Sequence, residues 1–168
     1  MKPKVLIIMG SDSDLPVMEE TSRILDEFSV PYTITVASAH RTPERTLKLV
    51  KDAEQNGVDV IIGAAGMAAH LPGVIASHTV LPVIGVPLDA SPLKGMDALL
   101  SIVQMPPGIP VATVSIGKAG ARNAAILAVQ IMALKDRKLT KKLLDHRRKM
   151  AKEVEEKAGR IAKKYKPD

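Results

Sequence analysis

Apolar residues gather along the chain into five short runs, Lys4–Met9, Thr33–Ala37, Val58–Gly63, Pro82–Val86 and Val111–Ile116. Short apolar runs ended by turn residues suit strands buried on both faces, the pattern of a parallel sheet. Between the runs, apolar positions recur at helical spacing. That spacing predicts helices at about Leu15–Phe28, Pro43–Asn56, Leu71–His78, Met96–Gln104 and Ala119–Leu134. The second of these opens on Thr42-Pro43-Glu44, which reads as an N-cap followed by proline at the first helical position.

Strand and helix alternating five times predict a three-layer α/β domain with right-handed crossovers, most simply a flavodoxin-like five-stranded parallel sheet of order 2-1-3-4-5. In that order strand 1 lies between strands 2 and 3. The loops leaving the C-terminal ends of these three strands then converge on one crevice, where open α/β sheets bind ligands.

A last segment, Arg137–Lys164, reads as a long helix carrying an apolar stripe of Leu139, Leu143, Met150, Val154, Ala158, Ile161 and Tyr165. It has no strand of its own to cover, so the stripe needs burial against the domain or against a neighbouring subunit. Its length favours the neighbour, and a homo-oligomer is expected. The chain thus divides into an α/β domain over residues 1–134 and a C-terminal helical extension over 135–168.

With 168 residues, 46% of them hydrophobic, the chain can bury a continuous core without staples. The absence of cysteine excludes disulfides, thiolate metal sites, iron–sulfur clusters and a cysteine nucleophile. Of the net charge of +6, the excess belongs to the tail, where residues 135–168 hold 14 Lys/Arg against 6 Asp/Glu. Aromatic residues for stacking on bases are confined to Phe28, Tyr32 and Tyr165, and nucleic-acid binding is not expected. No apolar run is long enough to span a membrane, and the opening one is too short for a signal peptide, so a soluble cytoplasmic protein is expected.

The chemistry lies in the predicted loops. Gly10-Ser11-Asp12-Ser13-Asp14 follows the first strand and leads into a helix, where backbone N–H groups and the hydroxyls of Ser11 and Ser13 could receive a phosphate. Plain helix capping explains the same residues equally well. The loop lacks a Walker lysine and a dinucleotide glycine triplet, so a monophosphate suits it better than a triphosphate or NAD. Ser38-Ala39-His40-Arg41-Thr42-Pro43 places an imidazole beside a guanidinium at the end of strand 2. The guanidinium is a donor fork for phosphate, and the imidazole can give or take a proton near neutral pH. Asp14 could bind a ribose diol or hold an imidazole.

The third loop, Gly63 to Gly73, is built of small residues that let backbone approach a ligand, and His70 either lines the ligand site or caps the next helix. His78 and His146 read as surface residues. Gly117-Lys118-Ala119-Gly120-Ala121-Arg122 could be a second anion site or, equally well, a place of subunit packing. No His/Asp/Glu cluster has metal-ligand spacing, so no metal is expected.

Taken together, Met9–Asp14, Ser38–Pro43, Ala68–Gly73, Ser101–Pro106 and Gly117–Ala121 resemble, in order and over nearly the whole chain, the class I 5-(carboxyamino)imidazole ribonucleotide mutases of the phosphoribosylaminoimidazole carboxylase catalytic-subunit family. The resemblance implies a flavodoxin-like subunit in a homo-octamer whose C-terminal helices reach neighbours. It also implies a step of de novo purine synthesis that converts 5-(carboxyamino)imidazole ribonucleotide to 4-carboxy-5-aminoimidazole ribonucleotide without ATP, metal or organic cofactor. Carried over by motif, His40 is the general acid/base, Ser11, Ser13, Ser38 and Arg41 hold the phosphate, Asp14 holds the ribose, and His70 lines the reacting ring. Met67 departs from the family, which usually has glycine there. The related class II enzymes, which take carbon dioxide directly, tend to have lysine where Arg41 stands. A binding module that holds a phosphorylated ligand without turnover is the reading from another class.

Overall fold

Five parallel strands meet in the sequence order 2-1-3-4-5; the three central ones are buried on both faces, whereas the two edge strands are partly exposed. The structure is a computed structural model that describes residues 2–165. Its strands are β1 (Val5–Met9), β2 (Tyr32–Val36), β3 (Val60–Ala65), β4 (Val83–Pro87) and β5 (Ala112–Thr113). Its helices are α1 (Leu15–Phe28), α2 (Pro43–Asn56), α3 (Leu71–Ala76), α4 (Met96–Val103), α5 (Gly117–Ala133) and α6 (Arg137–Lys164). Side chains alternate across β1, so Val5, Ile7 and Met9 join one core layer with α1 and α5, while Leu6 and Ile8 join the other with α2, α3 and α4. The flavodoxin-like order and the three layers are those the apolar runs predict.

The differences are local and have physical causes. β3 begins and ends two residues later than its apolar run, because Gly63, Ala64 and Ala65 continue the pairing beyond the large side chains. β5 keeps only two paired residues. Pro110 has no N–H to donate at its start, and after Thr113 the chain makes one last bond, from Val114 N–H to Gly85 O, before turning away. α3 stops at Ala76, α4 at Val103, and α5 starts at Gly117 rather than Ala119. Thr42 does not cap α2 through its side chain; its hydroxyl accepts from the Ser38 N–H instead (2.9 Å).

α1 and α5 pack closely. The buried Thr21 hydroxyl donates to Ala121 O at 2.8 Å, and the buried Glu20 carboxylate accepts from Arg122 Nε at 2.7 Å and from Arg23 at 3.1 Å. α6 is capped by the Asp136 carboxylate and lays Leu139 and Leu143 on the α1/α5 layer. Lys142 Nζ donates to Phe28 O (2.7 Å) and Ser29 Oγ (3.1 Å), closing the C-terminus of α1. His146, expected at the surface, is half-buried with its ring tilted against Phe28 at 5.5 Å. Beyond that point α6 buries nothing in its own chain: Met150, Val154, Ile161 and Tyr165 stay exposed. Residues 166–168 of the predicted extension lie outside the described residues. Among the described residues no helix is long and apolar enough to cross a membrane.

Candidate functional site

At the C-terminal edge of the sheet, the loops after β1, β2 and β3 enclose a cavity of about 570 Å³. Ser11, Ser13, Asp14, Ser38, His40, Arg41 and His70, the seven residues singled out in the sequence, all line it. In the first loop Ser11 has extended backbone and caps a single 3-10 turn, Asp12–Asp14. Its hydroxyl accepts from the Ser13 N–H, while its own N–H donates to the Asp14 carboxylate at 3.0 Å. Capping and ligand binding are therefore not exclusive, since the Ser13 hydroxyl, donating to Ser11 Oγ at 2.9 Å, still faces the cavity. Asp14 is only 7% exposed. Burial raises its carboxyl above the usual aspartate range and Asp12 adds to the effect, against the lowering by the Ser11 and Gly10 N–H groups.

The second loop is tied to itself and to the first. Ser38 Oγ accepts from the Arg41 N–H at 3.1 Å, and the Arg41 guanidinium donates to Gly10 O at 3.4 Å. That contact uses one N–H of five, and Arg41 lines the cavity together with Ser11 and Ser13. The corner made by Ser11, Ser13, Ser38 and Arg41 thus offers hydroxyls, a cation and the approach to α1, all suited to a phosphate.

In the third loop Met67 and Ala69 take left-handed backbone, φ 54° and 41°. Glycine adopts that region without strain, which accounts for the family's glycine where this chain has Met67. Met67 is 61% exposed and stands on the rim of the cavity, among its lining residues. The two turns deliver His70 to the N-cap position of α3, yet its imidazole makes no capping bond. It faces His40 instead: Nδ1 of His70 lies 2.5 Å from Nε2 of His40, with the rings at 83° and their centroids 4.7 Å apart. Two facing ring nitrogens have room for one proton between them, so the pair is a shared donor and acceptor on the cavity wall.

One lining residue, Ala90, lies outside the three loops, and only the adjacency of strands 3 and 4 could have pointed to it, since its side chain is a methyl group. The loop Gly117–Ala121 does not reach this cavity. Arg122 and Asn123 border a different hollow between α1, α5 and α6, where Glu20 already occupies Arg122, and Gly120 packs against Ser115 of its own chain. Among the described residues no group of three His, Asp or Glu side chains is placed to hold a metal ion.

An N5-carboxyaminoimidazole ribonucleotide mutase of Pyrococcus horikoshii is 61% identical over 160 residues, which cover 95% of this chain and 89% of that protein. Proteins of the same name from Thermotoga maritima (55% identical, covering 95% and 92%) and Bacillus subtilis (56%, covering 92% and 94%) are similar to it throughout. The crystal structure of Treponema denticola PurE superposes with a TM-score of 0.85 at 29% identity, covering 98% of this chain and 99% of that one. Residues 4–153 match the AIR carboxylase family, and the chain belongs to that family.

Proposed function

We propose that the protein is an N5-carboxyaminoimidazole ribonucleotide mutase, which moves a carboxyl group from the exocyclic nitrogen to the ring carbon of an aminoimidazole ribonucleotide. The observation that carries the reading is the facing His40–His70 pair, set beside a corner of hydroxyls and one guanidinium. In this reading the phosphate sits on Ser11, Ser13, Ser38 and Arg41, and Asp14 accepts from the ribose hydroxyls. The aminoimidazole then reaches the imidazole of His40, with His70 and the small-residue loop against the ring.

The chemistry needs one group that first gives and then takes a proton. His40 protonates the carbamate nitrogen as its N–C bond breaks, and carbon dioxide leaves the nitrogen. The nucleophilic ring carbon attacks carbon dioxide, and His40, now neutral, removes the proton from that carbon to restore the aromatic ring. Protons balance over the cycle, and no electron carrier is needed. A snug wall of Ala65, Gly66, Ala68 and Ala69 suits retention of a small apolar gas beside the ring.

The competing reading within the family is direct carboxylation of aminoimidazole ribonucleotide, and Arg41 speaks against it. A homo-oligomer, an octamer in the form the resemblance implies, is supported by apolar surface left uncovered in one chain. Met96, Leu100 and Val103 are exposed along α4 with Leu93 in the turn before it, and the outer half of α6 adds Val154 and Ile161. We place the enzyme in the cytoplasm, in keeping with a chain in which the described residues hold no membrane-spanning helix.

The test is to mix purified protein with 5-(carboxyamino)imidazole ribonucleotide without ATP, metal or bicarbonate, and to follow the C4-carboxylated product by ultraviolet absorbance. Turnover is expected, and His40→Asn is expected to lower it about 10²–10⁴-fold with ligand binding kept. Product formed only from aminoimidazole ribonucleotide plus bicarbonate would replace the mutase by the carboxylase, and no product by either route would leave a binding module. Sedimentation of the pure protein tests the assembly.

A further inference from the structure

His70 is held by unusually little. Its imidazole has one polar partner among the described residues, His40, and it begins a helix of six residues, too short to be stable except by packing. On the inner side, α3 settles onto the sheet where β3 and β4 have glycine. A Cβ at Gly63 would lie 3.1 Å from Ile75 Cδ1 and 3.3 Å from Pro72 Cα, and one at Gly85 would lie 3.4 Å from Pro72 Cβ. The outer side of α3 presents His70, Gly73, Val74 and Ser77, residues three, four and seven apart and hence on one face. They border a small cleft of about 230 Å³ behind the site, closed on the opposite side by Ser101 and Met105.

We propose that Met105 is a positioning residue for the reaction, its thioether braced against α3 at Gly73 so that His70 keeps its orientation toward His40. A Cβ placed on Gly73 would sit 3.1 Å from Met105 Sδ and 3.4 Å from its Cε, so the side chain lies directly on the bare backbone of the helix. Met105 is half-buried, whereas Gln104 and Pro106–Gly108 on either side of it are exposed. Two prolines and the anchored Ile109 stiffen the segment that carries it. With the sheet beneath α3 and the thioether above, the helix cannot roll about its axis. The direction of the His70 ring, which no hydrogen bond to the backbone fixes, follows from that.

This inference rests on the mutase reading for its catalytic consequence, but its geometric content can be measured alone. Met105→Ala is expected to lower kcat about tenfold with KM changed less than about twofold, and Met105→Leu to restore most of the loss. In nitrogen-15 spectra of the imidazoles, the ring signals of His40 and His70 should report the hydrogen bond between Nε2 and Nδ1 in the parent protein and lose it in Met105→Ala. Gly73→Ala, which displaces the thioether without opening a cavity, should change the spectra in the same way. Unchanged ring signals of both histidines in Met105→Ala and Gly73→Ala would overturn the proposal, whatever the activity. If the spectra change but His40→Asn keeps full turnover, the brace stands and the mutase mechanism falls.

Discussion

One substitution made at two glycines should move stability in opposite directions. At Gly120, in the first turn of α5, an added Cβ would lie 1.6 Å from the carbonyl oxygen of Ser115 and 2.7 Å from its carbonyl carbon. Contact distance for such atoms is more than 3 Å, so helix and turn must separate by about 1.5 Å. Ser115 is backbone and has no rotamer to yield. The separation falls where α5 meets α1, one residue from the Thr21–Ala121 hydrogen bond and two from the Glu20–Arg122 pair. Overpacking costs about 1–3 kcal/mol and the loss of a buried hydrogen bond about 1 kcal/mol more, so Gly120→Ala should destabilise by about 2–4 kcal/mol. At Gly159, within α6, nothing lies within 4 Å of the new methyl group, and the exposed helix should gain about 0.5–1 kcal/mol. Urea unfolding followed by circular dichroism gives both numbers from the shift in midpoint. A Gly120→Ala midpoint within error of the parent, or the same sign at both positions, would refute the reasoning.

Gly63→Ala should act on rate more than on stability. Pro72 and Ile75 must shift by a few tenths of an ångström, carrying His70 with them, and kcat is expected to fall about three- to tenfold in the steady-state assay while the melting temperature changes by only a few degrees. Glu20 is held below the ordinary glutamate value of 4.5 by the hydrogen bond from Arg122, aided by the charges of Arg122 and Arg23. The unfolded chain therefore takes up the proton first as acid is added. The stability Glu20 contributes is present above that ordinary value and is lost as pH falls through the depressed one, so Glu20→Gln should flatten the acid limb of the stability–pH curve measured by thermal melting. Asp14 has the opposite sign. Its carboxyl is raised by burial, so the folded protein loses stability as pH climbs above the ordinary aspartate value of 3.8. Asp14→Asn, which can still accept from the Ser11 N–H, should melt higher at neutral pH and bind substrate about tenfold more weakly by calorimetry.

Hydrophobic runs were enough to order the sheet because each buried strand is marked by large side chains on both faces, as in Val5–Met9. They failed where burial comes from small residues or where pairing is brief. β3 continues through Gly63-Ala64-Ala65 beyond its large residues, and the apolar run at Val111–Ile116 contains only two paired positions. The site loops were legible because topology brings the ends of β1, β2 and β3 together and those loops hold Ser11, Ser13, Ser38, His40, His70 and Arg41. What periodicity does not carry is side-chain direction. That His40 and His70, thirty residues apart, face one another depends on the left-handed turns at Met67 and Ala69. His146 was misread for a related reason: its polar neighbours mark an exposed helix, while Phe28, far away in sequence, supplies the cover.

The contact between α1 and α5 also bears on how the chain is made. Thr21 finds the carbonyl of Ala121 across 100 residues, and Lys142 closes on Phe28 across 114. At ordinary rates of synthesis, about 5–20 residues per second, α1 waits roughly 5–20 seconds for the helix that covers it. Over that interval Met18, Leu25 and the α1-facing side of β1 are a ribosome-bound half-layer with no lid, the stretch of nascent chain most in need of a chaperone. A chain released before α5 is complete keeps that surface bare, so truncated translation products of this protein should be recovered in the insoluble fraction, whereas loss of the outer half of α6 should leave the folded layer intact.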